Sequence, residues 1–336
     1  MSYVAKPRPG DRVSVVSPSW AGPQHYPRVF DLGLERLRSW GLEPVETPTT
    51  RVQGTPQERA RDLMAAFADP TTTAVLASIG GDDQIKVLRH LDPLVLQANP
   101  KPFYGFSDNT NLLSYLFTLG ITCFHGGSVM VQLARPGQMH PVTEASLRAA
   151  LFTTGPWQLP APTVGTDEHG DWATVDLTVE PAVRPLEPWA WSGPRTRVNG
   201  RLWGGNLEIL DWTLGVNRYL LDSYEGCVLF LETSEELPSD TEVYRMMTVM
   251  GERGLLQQFA GLVFARPKAW MPDRQGEREA YTAAQAQAVL RVMAEYHPDV
   301  PVVMGVDAGH ADPMVVMPIG NEIELDPAAG RITVIY

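Results

Sequence analysis

Short apolar runs alternate with helical spacing along about the first 150 residues, the pattern of a parallel α/β sheet. Runs of strand length lie at 12–16, 44–47, 74–79 and 102–106. Helical spacing between and after them predicts helices around 30–37, 56–67, 85–90 and 112–119. Thr55 and Glu58 form a capping box with Pro56 at the first helical position, which predicts where the second of these helices begins.

Polar or glycine-rich turns follow three of these predicted strands. They are Ser17-Pro18-Ser19, Gly80-Gly81-Asp82-Asp83 and Ser107-Asp108-Asn109-Thr110. In open parallel sheets the ligand crevice forms outside the carboxyl ends of the strands. We therefore expect the three turns to converge on one site.

The amino-acid composition changes between about residue 155 and residue 199, where prolines alternate with tryptophans. This predicts a linker with ordered loops and a little β-structure near 172–179. Beyond Gly200 the pattern predicts a mixed unit with a β-rich core. Its expected helices begin near Asn206, Ser239 and Ala280, and its expected strands lie at 227–231, 260–265, 301–306, near 315, at 321–325 and at 331–335. The predicted organisation is an α/β domain over 1–155, a linker and substrate loop over 156–199, and a second domain over 200–336.

Charge and composition narrow the possible partners. The formal net charge is −12, so the chain has no broad basic surface for a nucleic-acid polymer, although a small anionic ligand remains possible. The first ten residues carry no apolar run, and no stretch has the length of a membrane span, so we expect no signal peptide and a cytoplasmic location. The two cysteines, Cys123 and Cys227, lie among apolar neighbours and are expected to be structural thiols.

Ser107 is the candidate nucleophile. The segment Gly105-Phe106-Ser107-Asp108 places it on a turn between a buried strand and a helix, where the next backbone N–H can face the same space and bind an oxyanion. The match to a nucleophile elbow is loose, because Asn109 stands where the last glycine of Gly-x-Ser-x-Gly would be. The alternative is an ordinary serine cap of the following helix.

Glu232 and His310 are the candidate acid and base. Glu232 ends the apolar run 227–231, and His310 follows the strand 302–306 in a turn of small residues. A serine hydroxyl needs an imidazole to take its proton, and the imidazole needs an acid to hold its tautomer. Taken singly, Glu232 could be an edge carboxylate that meets water, and His310 a satisfied loop residue.

The turn Gly80-Gly81-Asp82-Asp83 allows a different chemistry. Its backbone N–H groups could hold a phosphate, or its aspartates could hold Mg²⁺, as in a kinase or nucleotide-binding module. A glycine pair at a strand end is also simply a tight turn. No Cys/His cluster has metal-ligand spacing, so neither a resident metal nor another cofactor is expected.

Five motifs carry a family resemblance along nearly the whole chain. In order they are 78–83 (SIGGDD), 104–110 (YGFSDNT), 204–207 (GGNL), 229–233 (LFLET) and 305–310 (GVDAGH). Together they resemble the serine peptidase family that contains the LD-carboxypeptidases and the microcin C immunity peptidases. The resemblance implies a flavodoxin-like parallel-sheet N-terminal domain, a C-terminal mixed domain with a β-barrel-like core, and usually a homodimer.

The same resemblance assigns roles to individual residues. It implies a triad of Ser107, Glu232 and His310, and an oxyanion hole made by the backbone N–H groups of Asp108 and Gly81. Gly80 and Asp82 would then border the substrate. Glycine at this point has a physical reason, since no side chain can intervene where backbone must touch a developing oxyanion.

The two branches of the family differ in substrate. LD-carboxypeptidases remove the terminal D-alanine of muropeptide tetrapeptides, whereas immunity peptidases cut the amide between an acidic aminoacyl group and a nucleotide-like moiety. The residue before the glycine pair is Ile79, which resembles the immunity branch. The carboxypeptidase branch more often has arginine at this position. Trp189 and Trp191 lie in a loop whose placement is similar to that of a loop in the immunity branch that stacks on the nucleobase. They could equally be packing anchors. The segment 124–127 (FHGG) departs from the family pattern. We therefore expect the pocket wall to differ from that of the family at this segment.

Overall fold

The computed structural model describes residues 4–270 and 275–336. Residues 1–3, the start of the segment expected to lack a signal peptide, lie outside the described residues. The strands are β1 (Arg12–Val16), β2 (Glu43–Glu46), β3 (Thr72–Ala77), β4 (Phe103–Gly105), β5 (Cys123–His125), β6 (Pro156–Gln158), β7 (Val164–Gly165), β8 (Arg184–Pro185), β9 (Ala190–Ser192), β10 (Val198–Asn206), β11 (Val228–Glu232), β12 (Gly261–Ala265), β13 (Val302–Val306), β14 (Met317–Ile319), β15 (Glu322–Asp326) and β16 (Arg331–Ile335).

The helices account for most of the remaining regular structure. They are α1 (Gly22–His25), α2 (Pro27–Ser39), α3 (Pro56–Ala68), α4 (Ile85–Leu88), α5 (Pro93–Ala98), α6 (Thr110–Thr118), α7 (Pro141–Phe152), α8 (Leu207–Val216), α9 (Asp240–Glu252) and α10 (Arg278–Tyr296). The predicted capping box at the start of α3 is confirmed, with Thr55 and Glu58 bonding each other's backbone N–H. Within the described ranges, no helix has the length and apolarity needed to cross a membrane.

The first sheet has the strand order β14-β5-β4-β3-β1-β2, in which β2, β1, β3, β4 and β5 are parallel. That 2-1-3-4-5 order is the flavodoxin-like arrangement, so the predicted fold of the N-terminal region is confirmed. The strands β1, β3, β4 and β5 are buried on both faces, as their apolar runs require, whereas the edge strand β2 is partly exposed. Their carboxyl ends all lie at one edge of the sheet.

The first sheet is completed by a segment from the far end of the chain. Strand β14 pairs antiparallel with β5, with Met317 opposite His125. The domain boundary predicted at residue 200 therefore does not separate the two sheets. The sequence carries no local signal for this pairing, because β14 is only three residues long and its partner lies almost two hundred residues away.

The second sheet has the order β6-β16-β15-β10-β11-β12-β13-β9. Its centre, β10 to β13, is parallel, and its flanks are antiparallel. Within the described residues β6 and β9 do not pair with each other, so the sheet is open. Both edge strands come from 156–199, and the segment predicted as a linker therefore forms part of the second sheet.

The β-structure predicted near 172–179 is wrong. That segment forms turns, in which the side chain of Asp171 accepts from the N–H of Ala173 and that of Asp176 accepts from the N–H of Thr178. Side chains that satisfy nearby backbone donors in this way compete with a strand ladder. The short pair β7 and β8 lies on either side of these turns.

Gly205 brings the second sheet against the first. Its φ is +149°, and a Cβ atom there would lie 2.5 Å from Oγ1 of Thr110, so only glycine permits the approach. The next residue, Asn206, donates its N–H to the same hydroxyl at 3.0 Å and accepts from the N–H of Ile209 at the start of α8. The second glycine of the GGN segment therefore allows β10 to pack against the beginning of α6.

Two glycine-to-alanine substitutions test the packing, because we expect them to change the free energy of unfolding in opposite directions. Gly33 lies on the buried face of α2, where a Cβ atom would be 2.2 Å from the carbonyl oxygen of Val129. We predict that Gly33→Ala lowers the free energy of unfolding by about 1–3 kcal/mol through overpacking. Gly215 in α8 has no atom within 4 Å of that position, so Gly215→Ala should raise it by about 0.5–1 kcal/mol. Urea unfolding measures both, and equal effects would contradict the packing described.

Candidate active site

Ser107 lies at the turn between β4 and α6 with a positive φ of +61°. For a non-glycine residue this conformation costs about 1–2 kcal/mol and is typical of strained functional turns. Its hydroxyl caps no helix, since the residue before α6 is Asn109 and the short 3₁₀ turn at 107–109 has no side-chain cap. The helix-cap alternative therefore does not describe this serine, which lies on the wall of a large cavity.

The carboxylate of Asp108 ties the three strand-end turns together. Its Oδ2 accepts from the hydroxyl of Ser19, from the N–H of Asp83 at 3.1 Å and from the N–H of Gln84 at 2.9 Å. Oδ1 accepts from Nδ2 of Asn111. The predicted convergence of the turns is confirmed. Burial raises the pKa of Asp108, while these hydrogen bonds favour its charged form.

Two glycines of the turn after β3 allow close approach to the neighbouring turns, Gly80 to that of Ser107 and Gly81 to that of Ser19. A Cβ atom on Gly80 would lie 3.0 Å from Cβ of Ser107, and one on Gly81 would lie 2.2 Å from Oγ of Ser19. Gly81 has a φ of +153°, and its N–H has no acceptor within the described chain. The N–H of Asp108 belongs to the first turn of a helix, where backbone donors lack intrahelical partners. Gly81 and Ser107, which directly precedes Asp108, both line the cavity.

Glu232 and His310 form a buried pair across the second sheet. Oε2 of Glu232 lies 2.6 Å from Nδ1 of His310, and the glutamate side chain has no exposed surface. Glu232 ends β11, and His310 lies in the turn after β13, two strands away. A Cβ atom on Gly309 would lie 3.3 Å from the same Oε2, so glycine lets the turn close onto the carboxylate.

A second carboxylate approaches the other ring nitrogen of His310. Nε2 lies 3.0 Å from Oε2 of Glu235, although the angle is outside that of a hydrogen bond. Burial alone would lower the pKa of His310, but Glu232 and Glu235 outweigh it and raise the pKa to about 10. In this arrangement the ring is therefore an imidazolium at neutral pH.

The turn that carries His310 is held from behind by Asp307. Its two carboxylate oxygens accept from Nε of Arg266 at 2.7 Å and from Nε1 of Trp189 at 2.8 Å. Trp191 lies in β9, opposite Val303 of β13. The structure therefore does not bring Trp189 and Trp191 to the cavity, because a hydrogen bond and a strand ladder hold them behind it. Both act as the packing anchors that the sequence allowed as an alternative.

The cavity beside Ser107 has a volume of about 810 Å³. Its walls include Gly80, Gly81, Glu235 and His310, and its aromatic side chains include Trp20, Tyr26, Trp172 and Trp270. Charged groups around it are Arg135, Glu168, Asp176, Glu180, Lys268 and Asp312. Such a mixture of aromatic walls and a few polar groups is typical of a small-molecule site.

Asp82 is exposed and does not line this cavity. Its neighbour Asp83 is engaged by Arg59, whose guanidinium bonds both carboxylate oxygens, at 2.6 and 3.0 Å. Within residues 4–270 and 275–336, no group of three His, Cys, Asp or Glu side chains is arranged to hold a metal ion. The structure therefore brings Ser107, Gly80, Gly81 and His310 to one space and leaves Asp82 outside it.

Several site residues carry little or no signal in the sequence. Trp20 directly follows the first strand-end turn and could have been inferred from that position. Trp172, Lys268 and Glu235 lie in irregular segments whose course depends on distant contacts. His125, from the segment that departs from the family pattern, lies behind the cavity, edge-on to Phe230, and burial lowers its pKa to about 4.

Family models match most of the chain. The LD-carboxypeptidase N-terminal domain matches residues 13–126, and the LD-carboxypeptidase C-terminal domain matches residues 199–325. The first match contains Ser107, and the second contains Glu232 and His310.

Individual relatives agree with this match. A Streptomyces coelicolor protein, named provisionally as a carboxypeptidase, is 30% identical over 98% of this chain and 94% of its own length. The murein tetrapeptide carboxypeptidase of Pseudomonas aeruginosa is 29% identical over 66% of each chain. The solved Microcin C7 self-immunity protein MccF, known from Escherichia coli, superposes with a TM-score of 0.85 at 24% identity over 99% of this chain and 98% of that one, and has also been solved with aspartyl sulfamoyl adenosine. The chain belongs to the LD-carboxypeptidase family of serine peptidases.

Proposed function

We propose that Ser107, His310 and Glu232 form a catalytic triad that hydrolyses an amide bond. The observation that carries this proposal is the 2.6 Å contact between Glu232 and His310, with His310 and Ser107 on the wall of one cavity. Glu232 holds the imidazole by Nδ1, which leaves Nε2 as the nitrogen that can exchange a proton with the serine. Each residue type suits its role.

The proposed reaction has two stages. Oγ of Ser107 attacks the amide carbonyl while Nε2 of His310 takes the hydroxyl proton, and the negative charge that develops on the carbonyl oxygen is bound by the N–H groups of Gly81 and Asp108. His310 then gives its proton to the leaving nitrogen, and the C–N bond breaks. Water, activated by the same imidazole, cleaves the acyl-serine ester and restores the hydroxyl.

For the substrate we propose an acidic aminoacyl group joined by an amide to a nucleotide-like moiety. The cavity is large, and Trp20, Tyr26, Trp172 and Trp270 offer faces on which a nucleobase can stack. Further support comes from the microcin self-immunity protein, which shares the fold and is solved with aspartyl sulfamoyl adenosine. The role would be to inactivate aminoacyl-adenylate analogues.

A second candidate substrate is a muropeptide tetrapeptide that loses its terminal D-alanine. The murein tetrapeptide carboxypeptidase of Pseudomonas aeruginosa is 29% identical over 66% of this chain, and the microcin self-immunity protein is 24% identical over 94% of it. Cationic groups of the cavity, Arg135 and Lys268, could take the terminal carboxylate. The phosphate-binding alternative has less support, because Asp82 is exposed and Asp83 is paired with Arg59.

Replacing the nucleophile tests the triad. We predict that Ser107→Ala lowers kcat by at least about 10³-fold on whichever amide substrate the wild type cleaves, because the bond-forming oxygen is lost. The matched control is Ser223→Ala, an exposed serine outside the cavity, which should keep wild-type turnover. Initial rates with aspartyl sulfamoyl adenosine and with a muropeptide tetrapeptide measure the effect. Wild-type turnover by Ser107→Ala would exclude the triad.

Replacing an aromatic wall separates the two substrates. We predict that Trp172→Ala raises KM for aspartyl sulfamoyl adenosine by about 5- to 150-fold, the equivalent of the ~1–3 kcal/mol of one base stack. KM for the muropeptide should change little, since it has no nucleobase. Trp212→Ala, an exposed tryptophan of α8, serves as control. An unchanged KM for the nucleoside substrate would show that no base stacks on Trp172.

A further inference from the structure

Glu235 contacts the catalytic face of the proposed base. It lies three residues beyond Glu232, in the loop after β11, and its Oε2 is 3.0 Å from Nε2 of His310. The two glutamate side chains differ in solvent exposure and therefore in their freedom to move. Glu232 has no exposed side-chain surface, whereas the side chain of Glu235 is 57% exposed and lies on the cavity wall. Glu235 can therefore change its partner without disrupting the core.

This contact conflicts with general-base catalysis. Nδ1 of His310 is already bound to Glu232, so Nε2 is the nitrogen that must accept the proton of Ser107. Glu232, and after it Glu235, raise the pKa of His310 to about 10, so Nε2 keeps its own proton at neutral pH while both carboxylates face the ring. Glu232 is fixed, so Glu235 is the carboxylate that can leave the ring and lower this pKa.

We infer that Glu235 is a specificity residue whose carboxylate binds a protonated amine of the substrate, adjacent to the scissile amide, and thereby frees His310 to act as base. The inference rests on the proposed function and names a property of its substrate. As the ammonium pairs with Glu235, the Nε2 proton leaves to solvent. Nε2 then accepts the hydroxyl proton as the bond from Oγ to the carbonyl carbon forms.

The negative charge of Glu235 on the cavity wall allows a cationic group of the substrate to pair with it. Partial burial would raise the pKa of Glu235, but its contact with His310 outweighs this and lowers the pKa to about 2, so the carboxylate stays charged. Lys268 lies near it on the cavity wall, and within the described residues it forms no ion pair closer than 4 Å. A free α-amino group next to the cleaved amide meets the requirement, and an N-acylated one does not.

Other titratable groups surround His310 and are fixed by their own contacts. His125 of β5 is neutral because burial lowers its pKa to about 4. His169 lies with Nε2 3.1 Å from the carbonyl oxygen of His310, and Asp312 is bound by Arg135 at 2.6 Å. Among the groups that face the imidazole, Glu235 is thus the charged side chain with the most freedom to move.

Glu235→Gln is the test variant, because it removes the charge and keeps the shape. Glu236→Gln is the matched control, since Glu236 is exposed and lies outside the cavity lining. The probes are aspartyl sulfamoyl adenosine and its N-acetyl derivative. We expect the wild type to prefer the free amine in kcat/KM by about 10- to 100-fold, the range for hydrogen bonds to charged groups. In Glu235→Gln this ratio should fall towards one.

The pH profile gives a second readout. With the N-acetyl probe, whose amine cannot titrate, the rise of kcat/KM with pH reports deprotonation of His310 in the free enzyme. Removing the negative charge of Glu235 lowers that pKa, so the rise should move to lower pH in Glu235→Gln and stay in place in Glu236→Gln. An unchanged ratio together with an unchanged profile in Glu235→Gln would overturn the inference.

NMR titration of His310 in labelled protein without substrate separates this inference from the proposed function. A lower imidazole pKa in Glu235→Gln than in wild type supports the contact, and an equal pKa overturns it, whether or not either probe is cleaved. Loss of the proposed function would instead appear as full activity in Ser107→Ala. The two failures are therefore distinguishable.

Discussion

The burial of Glu232 is the constraint on which the site depends. A carboxylate with no exposed surface costs several kcal/mol unless a cation or donors compensate it, and here His310 is that compensation. The turn after β13 must therefore close onto the end of β11, which Gly309 permits by having no side chain. Asp307 and Arg266 hold that turn from behind. An imidazole fixed in this way has one tautomer and one orientation.

Two further contacts fix the position of Ser107, the proposed nucleophile, at the edge of the other sheet. Gly205 lets β10 approach Thr110 at the start of α6, directly after the turn that holds Ser107. Asp108 fixes that turn against the segments after β1 and β3 through three hydrogen bonds, from Ser19, Asp83 and Gln84. The positive φ of Ser107 is maintained because its neighbours on both sides are held. The two sheets thus present base and serine to one cavity.

Local patterns predict the parts of this arrangement that local forces determine. The apolar runs and the capping box at Thr55 locate β1, β11, β12, β13 and α3 to within about two residues. The strand expected near 315 is found as β14, but its pairing with β5 is not predicted because the partner is distant in sequence. The segment 172–179 is wrongly predicted as β-structure because aspartate side chains satisfy its backbone. The cavity aromatics and Glu235 lie on irregular segments. Their convergence depends on the tertiary fold, and no periodicity in the sequence predicts it. Ser107, Glu232 and His310 stand out because each lies at or just after the carboxyl end of a strand.

The central claim is that Ser107 is activated by His310, itself held by Glu232. The most direct measurement is the rate of covalent labelling by a fluorophosphonate, with the modified peptide identified by mass spectrometry. We expect one adduct, on Ser107, formed much more slowly in His310→Ala and in Glu232→Gln than in the wild type. An adduct on another residue, or labelling of Ser107 at the wild-type rate in both variants, would contradict it.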